Sequence, residues 1–211
     1  MRKFFIALFT PLARRMETFN PNTLTFISFI TGILTGLAFF LTRIQPWFFL
    51  VAGGLVSLSG AADSLDGIIA RMYGRVTKKG DFLDHFSDRI VDIAIILGIA
   101  FSQGAHLILG FVLSLLILLH SYLGTQIEAT LGKRSYQGTG KAEFFLGLIL
   151  FSLLAAVFPY LGVEIAGNKI VIADMFMIIL MIFALWGLVQ RFLRGLIACM
   201  ERDKEAGLGD Q

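Results

Sequence analysis

Residues 47–102 read WFFLVAGGLVSLSGAADSLDGIIARMYGRVTKKGDFLDHFSDRIVDIAIILGIAFS: two apolar runs joined by a short polar stretch. The run 47–73 carries no charge before Asp63, and the run 81–102 carries none after Asp92. As helices, each is long enough to cross a hydrocarbon layer about 30 Å thick. The pattern is therefore a membrane hairpin whose two arms are acidic only near the joint. Asp63 stands about 24 Å along a helix begun at Trp47, close to one edge of the hydrocarbon. Asp63 and Asp66 are three residues apart and Asp84 and Asp88 four apart, so each pair shares a helix face.

Membrane physics alone does not call for these acids. An ionised Asp at the bilayer centre costs about 2.5–3.5 kcal/mol, and four at full depth would approach roughly 10 kcal/mol. Four carboxylates converging from two helices repel one another unless a positive charge lies between them. Hard divalent cations with oxygen ligands, Mg²⁺ above all, supply that charge, and Mg²⁺ keeps positions for water and substrate phosphates. Gly67 and Ala70 leave room beside the acids, Arg71 offers a planar fork for a diphosphate, and Gly80 closes the joint. The stretch points to phosphate chemistry.

The rest of the chain fits a lipid solvent. Of 211 residues, 56% are hydrophobic and only 16% charged, with a mean hydropathy of +0.79. A soluble domain of this length leaves about a third of its chain surface wet and carries near a quarter charged residues. The expected fold is an all-α integral membrane protein: six transmembrane helices plus an N-terminal juxtamembrane amphipathic helix. Spans are predicted at about 22–42, 47–73, 81–102, 104–131, 141–161 and 171–196. This gives a juxtamembrane helix in 1–20, a catalytic membrane domain over 21–200 and a polar tail over 201–211. The opening stretch 2–19 does not read as a signal peptide, because Pro11 interrupts it and Arg14 and Arg15 follow. It reads as an interfacial helix burying Phe4, Phe5, Leu8, Phe9 and Leu12.

Basic residues set the side. Fifteen of the 18 fall at one face, from Arg2 and Lys3 through Lys78 and Lys79 to Arg202 and Lys204. The other face keeps Arg43 and Lys169, and Arg89 lies within a span. The positive-inside rule then makes both termini, and the acidic site with them, cytoplasmic in a multi-pass cell-membrane protein. One cysteine, Cys199, excludes an intrachain disulfide or a Cys-based metal site. Dispersed bases exclude a nucleic-acid partner.

The run D-x-x-D-G-x-x-A-R over 63–71, then G-x-x-x-D-x-x-x-D over 80–88, resembles the signature of the CDP-alcohol phosphotransferase family. It matches at every defined position. The resemblance implies that Asp63, Asp66, Asp84 and Asp88 hold two divalent ions, Mg²⁺ or Mn²⁺. It implies that Asn22, Thr25, Asp63, Gly67, Arg71, Thr77 and Gly80 bind the CDP-linked lipid donor. Asp88 would be the catalytic base taking the acceptor's hydroxyl proton, with CMP expelled. A homodimer among membrane lipids is implied as well. Asp88-Arg89-Ile90-Val91-Asp92, Ser121-Tyr122, Glu128-Ala129 and Lys141-Ala142-Glu143 are similar to the inositol-phosphate-using branch, whereas Gly124, Gln126 and Phe144 depart from it. A polyol phosphate acceptor, inositol phosphate first, would rest on Lys133, Arg134, Lys141 and Arg191, with Arg194 a further candidate.

Other readings stay open on the residues alone. The acceptor would be glycerol phosphate or another alcohol, or the donor CDP-inositol. From another class, the acids would form the ion site of a divalent-cation transporter, or serve a structural scaffold. Asp81 reads as a helix start, and Asp92 as either a support for the acids or a partner of Arg89. His85 is expected to pack or hydrogen-bond, and His106 and His120 to be structural. Gly32-x-x-x-Gly36 fits a seam inside the bundle or between subunits equally well.

Overall fold

The computed structural model describes residues 2–132, 141–158, 162–165 and 168–205; the side chains of 2–6, 141–143, 163–165 and 168 lie outside that description. Seven helices run through it: α1 Arg2–Arg15, α2 Pro21–Leu41, α3 Phe48–Met72, α4 Lys78–Ala100, α5 Leu107–Leu131, α6 Lys141–Val157 and α7 Ile172–Glu205. Their ends follow local chemistry. The Asn20 side chain caps α2, accepting from the Asn22 backbone N–H at 3.0 Å, and Pro21 takes the first helical position. Thr77 caps α4 by accepting from the Gly80 N–H at 3.0 Å. Gly132, at φ 68°, ends α5 in the left-handed region, where a side chain would be strained.

Several expectations need correction. α4 begins at Lys78 rather than residue 81, so Gly80 belongs to its first turn instead of closing the joint. α7 continues to Glu205, making the start of the predicted tail helical; Arg202 Nη1 there donates to the Leu131 carbonyl at 2.8 Å, satisfying the end of α5. An antiparallel hairpin, β1 Gly162–Ile165 and β2 Asn168–Val171, occupies the connection between the last two predicted spans, where no element is expected. Its four-residue arms are too short for alternation to announce them. In α1, Phe9 turns onto the protein beside buried Ala13, while Leu8 and Leu12 stay exposed. Phe4 and Phe5 lie outside the described side chains.

Among the described residues, four helices are long and apolar enough to cross a membrane: α2, α3, α5 and α7. α4 falls short because its first half carries Asp81, Asp84, Asp88, Arg89 and Asp92, and α6 because its 17 residues are too few. α5 and α7 expose large apolar side chains along their length, among them Leu115, Ile182 and Trp186. Faces of that kind mark an integral membrane protein.

Glycines set how the helices meet. A Cβ on Gly32 would lie 2.5 Å from Val91, and one on Gly36 would run into the Ala94 carbonyl. Gly98 of α4 abuts Gly36 in turn. The Gly32-x-x-x-Gly36 seam is thus internal, and α2 and α4 run parallel with backbones touching. Gly53 meets Ser152 and Gly60 meets Phe145, so α3 and α6 are antiparallel. Gly187 meets His120, Gly124 meets Arg191 and Gly195 meets Ile127, so α5 and α7 are parallel. Between these pairs lies a core built on Phe39, Phe49, Ile95, Leu113, Phe151 and Met177. Gly36→Ala should destabilise the fold by about 1–3 kcal/mol or more, because the obstacle is backbone that cannot rotate away. Thermal unfolding in detergent reads this as a lowered midpoint.

At the end remote from the signature acids, fully buried Asp174 accepts from the backbone N–H groups of His106 (2.7 Å) and Val171 (3.0 Å). The His106 N–H takes Oδ1, while the Val171 N–H shares Oδ2 with His106 Nδ1, 2.9 Å away. One carboxylate thereby ties the α4–α5 turn, the hairpin and the start of α7. The structural role expected of His106 takes this form, while nothing in the sequence pattern singled out Asp174.

Candidate functional site

The last turns of α3 and the first turns of α4 bring three of the four signature acids to one cleft, with Asp66 buried behind them. Asp63, Asp84, Asp88 and Asp92 line it with Thr25 and Ser28 of α2 and Phe145 of α6. Ligand atoms of Asp63, Asp66 and Asp84 lie within 4.8 Å of one another, and so do those of Asp84, His85 and Asp88. Asp84 belongs to both groups. Carboxylate oxygens gathered this closely from two helices fit a hard divalent ion. Asp66 is only 6% exposed, and the Thr25 hydroxyl donates to its Oδ2 at 2.6 Å, fixing the carboxylate's orientation.

Around the acids, the residues assigned to the donor fall into two places. Asn22, Thr77 and Gly80 meet where α2 and α4 begin: a Cβ on Gly80 would lie 3.1 Å from Thr77 Oγ1 and 3.2 Å from Asn22 Oδ1. On α3, the Arg71 guanidinium lies over Gly67, where a Cβ would sit 3.2 Å from Nη2. The space at Gly67 therefore serves Arg71 as well as a ligand. Thr25 stands apart from both places, on Asp66.

Beyond the acids, α4 carries two histidine and arginine contacts. His85 is exposed rather than packed, with Nε2 3.8 Å from Asp81 Oδ1, and its ring belongs with Asp84 and Asp88 to one group of clustered ligand atoms. Asp81 occupies the first turn of α4, as a helix-start acid should. Asp92 fills both of its candidate roles, lining the cleft and pairing with Arg89 at 3.1 Å. Arg191 is half-buried against α5, its Nη1 donating to the His120 carbonyl at 3.0 Å. Arg194, by contrast, is exposed. Lys133 and Arg134 lie outside the described residues, as does the side chain of Lys141.

The model of the CDP-alcohol phosphatidyltransferase family matches residues 18–188, which takes in the cleft and both helices that build it. The chain belongs to that family. Among curated proteins, it is 38% identical over 81 residues to an archaetidylinositol phosphate synthase of Pyrococcus horikoshii, covering 38% of this chain and 40% of that one. It is 30% identical over 141 residues to inner membrane protein YnbA of Escherichia coli, covering 66% and 70%. The chain thus spans well under half of the first relative's length and about two thirds of the second's. The fold is that of the phosphatidylinositol phosphate synthase of Mycobacterium tuberculosis crystallised with CDP-DAG: TM-score 0.65, 24% identity, 88% of this chain and 92% of that one. The same enzyme in complex with manganese and citrate gives a TM-score of 0.66 at 24% identity, covering 89% and 88%. For a family member, the cleft rather than the exposed apolar faces is the place to look for chemistry.

Proposed function

We propose that this protein moves a phosphatidyl or archaetidyl group from a CDP-linked lipid to a polyol phosphate, with inositol phosphate as the acceptor. The observation that carries the reading is the gathering of Asp63, Asp84 and Asp88 around one cleft, with buried Asp66 holding a ligand atom within 4.8 Å of those of Asp63 and Asp84. The archaetidylinositol phosphate synthase relative supports the choice of acceptor.

In this reading the four acids hold two divalent ions, Mg²⁺ or Mn²⁺, which when bound neutralise charge on the donor's two phosphates. Arg71 over Gly67 grips the diphosphate, and Asn22, Thr25, Thr77 and Gly80 shape the nucleotide's side of the cleft. Asp88 takes the proton of the acceptor hydroxyl as its oxygen forms the new bond to the lipid-side phosphorus. The bond from that phosphorus to the oxygen of the CMP phosphate breaks, and CMP leaves. Thr25 holds Asp66 in place while this happens. On the acceptor side, Lys133, Arg134, Lys141 and Arg191 bind phosphate.

Six passes fit the helix directions, because α2 and α4 run parallel, α3 and α6 antiparallel, and α5 and α7 parallel. Successive reversals through six spans give that set. α4 then crosses with its acids at the aqueous end, and the basic residues place that end and both termini in the cytoplasm. Residues 21–200 form the catalytic domain, between a juxtamembrane helix in 1–20 and a tail over 201–211. The homodimer uses a face other than Gly32–Gly36, which α4 covers.

Purified protein with Mg²⁺ and radiolabelled CDP-lipid is expected to release CMP only when the right polyol phosphate is added, inositol phosphate ahead of glycerol phosphate. A faster reaction with glycerol phosphate, or with CDP-inositol as donor, would replace the acceptor assignment. No release with any pair, together with Mn²⁺ uptake by reconstituted vesicles, would favour a transporter instead.

A further inference from the structure

Away from the α3–α4 joint, the lining of the cleft turns from polar to apolar on three helices at one level. Phe29 of α2, Val91 of α4 and Phe145 of α6 all belong to it. Phe29 stands four residues beyond Thr25, and Val91 three beyond Asp88. Phe145 is level with Gly60, which precedes Asp63 on α3 by three residues. Polar groups near this level are already engaged. Ser28 and Ser59 donate to each other's backbone carbonyls, at 3.0 and 2.9 Å, and Asp92 pairs with Arg89 at 3.1 Å.

Two of the three floor side chains rest on glycines. A Cβ on Gly60 would lie 3.1 Å from Phe145 Cγ and 3.3 Å from both Cδ atoms, so the ring fits against bare α3 backbone. Val91 meets Gly32 of α2 in the same way. Close packing of this kind fixes a side chain by shape. Phe29 and Phe145 also pack against the apolar core, where water would find no polar partners. A group-transfer site has need of such an end. Water outnumbers any acceptor, and a base that takes a hydroxyl proton serves a water molecule equally well.

We propose that Phe145, seated on Gly60, is a specificity-determining residue: it stoppers the inner end of the cleft, so that the donor's group passes to the acceptor hydroxyl and not to water. This rests on the transfer reading above and adds which nucleophile is admitted. Removing the ring leaves a hollow near Asp63, whose carboxylate gives water a partner that the core does not. Hydrolysis then runs as a leak. A water oxygen bonds to the lipid-side phosphorus, one of its protons goes to Asp88 and the other stays on the product. The bond to the CMP phosphate oxygen breaks, and CMP leaves beside a lipid phosphate monoester.

The test uses the full chain in detergent with Mg²⁺ and radiolabelled CDP-lipid in heavy-oxygen water, with and without polyol phosphates. Phe145→Ala should raise CMP release without acceptor about tenfold over wild type, with heavy oxygen in the lipid phosphate and none in CMP. Gly60→Ala keeps the ring but moves it off its seat, and should raise that release about threefold. Phe145→Leu refills the hollow with apolar volume, and should stay within about twofold of wild type. So should Gly54→Ala, where a Cβ meets nothing within 4 Å. A merely structural loss lowers the melting temperature and turnover but does not divert the donor to water. If wild type transfers and Phe145→Ala hydrolyses no faster than wild type, the stopper is overturned while the transfer reading stands. Heavy oxygen in CMP would overturn it too, because water would then have attacked the other phosphorus. Should Phe145→Ala fail to fold, an unchanged acceptor-free rate in Gly60→Ala overturns the proposal. Wild type that releases no CMP with any acceptor removes the transfer reading, and the stopper with it.

Discussion

Replacing Asp88 by Asn is expected to lower kcat for CMP release about 10²–10⁴-fold, the usual contribution of a general base. The change is nearly isosteric, keeps a hydrogen-bonding side chain in the cleft and removes the charge that receives the proton. Asp88 sits half-buried on the α4 face shared with Asp84, its ligand atom within 4.8 Å of those of Asp84 and His85. Two measurements separate proton transfer from cation binding. Donor affinity, read as binding of a non-reacting CDP analogue, should fall by much less than kcat if proton transfer is the main loss. Melting temperature should change little, because the residue contributes no packing to the core. Wild-type turnover in Asp88→Asn, with every acceptor tried, would take the base assignment away.

Asp84→Asn should be at least as damaging, for a different reason. Among the described residues, Asp84 is common to both groups of clustered ligand atoms, one with Asp63 and Asp66, the other with His85 and Asp88. If each group holds an ion, losing the Asp84 charge weakens two cation positions at once, whereas losing Asp63 or Asp88 weakens one. A loss of several kcal/mol in stabilising phosphate charge corresponds to a fall in turnover of roughly 10³-fold or more. Titration with Mn²⁺, followed by paramagnetic resonance, should show two bound ions in wild type and less than one in Asp84→Asn. Asp63→Asn should retain one. Equal stoichiometry in all three proteins would mean that the shared position of Asp84 has no bearing on metal binding.

Much of the site was legible beforehand because its spacing is a property of single helices. Asp63 with Asp66, and Asp84 with Asp88, share faces whatever else the chain does. Asn20 before Pro21, and Thr77 three residues ahead of Gly80, cap helices by chemistry confined to one turn, a signal that spans read from apolar runs at 22 and 81 passed over. The boundaries of α4 and α7 were misplaced because polar residues such as Lys78 and Glu205 continue a helix without adding to apolar periodicity. The acceptor-side role of Lys133, Arg134 and Lys141 stays an expectation read from sequence.

The amino-acid order by itself determined that the chain is helical, apolar enough for lipid, and acidic where two successive helices adjoin. Those features depend on composition and on neighbours within a few residues. Only the tertiary structure decided that Thr25 bonds to Asp66, that Gly32 and Gly36 face α4 rather than another subunit, and that Arg191 lies against Gly124. Each joins residues tens of positions apart. Such contacts are fixed by which helix faces pack together, and helical periodicity gives the faces without naming their partners.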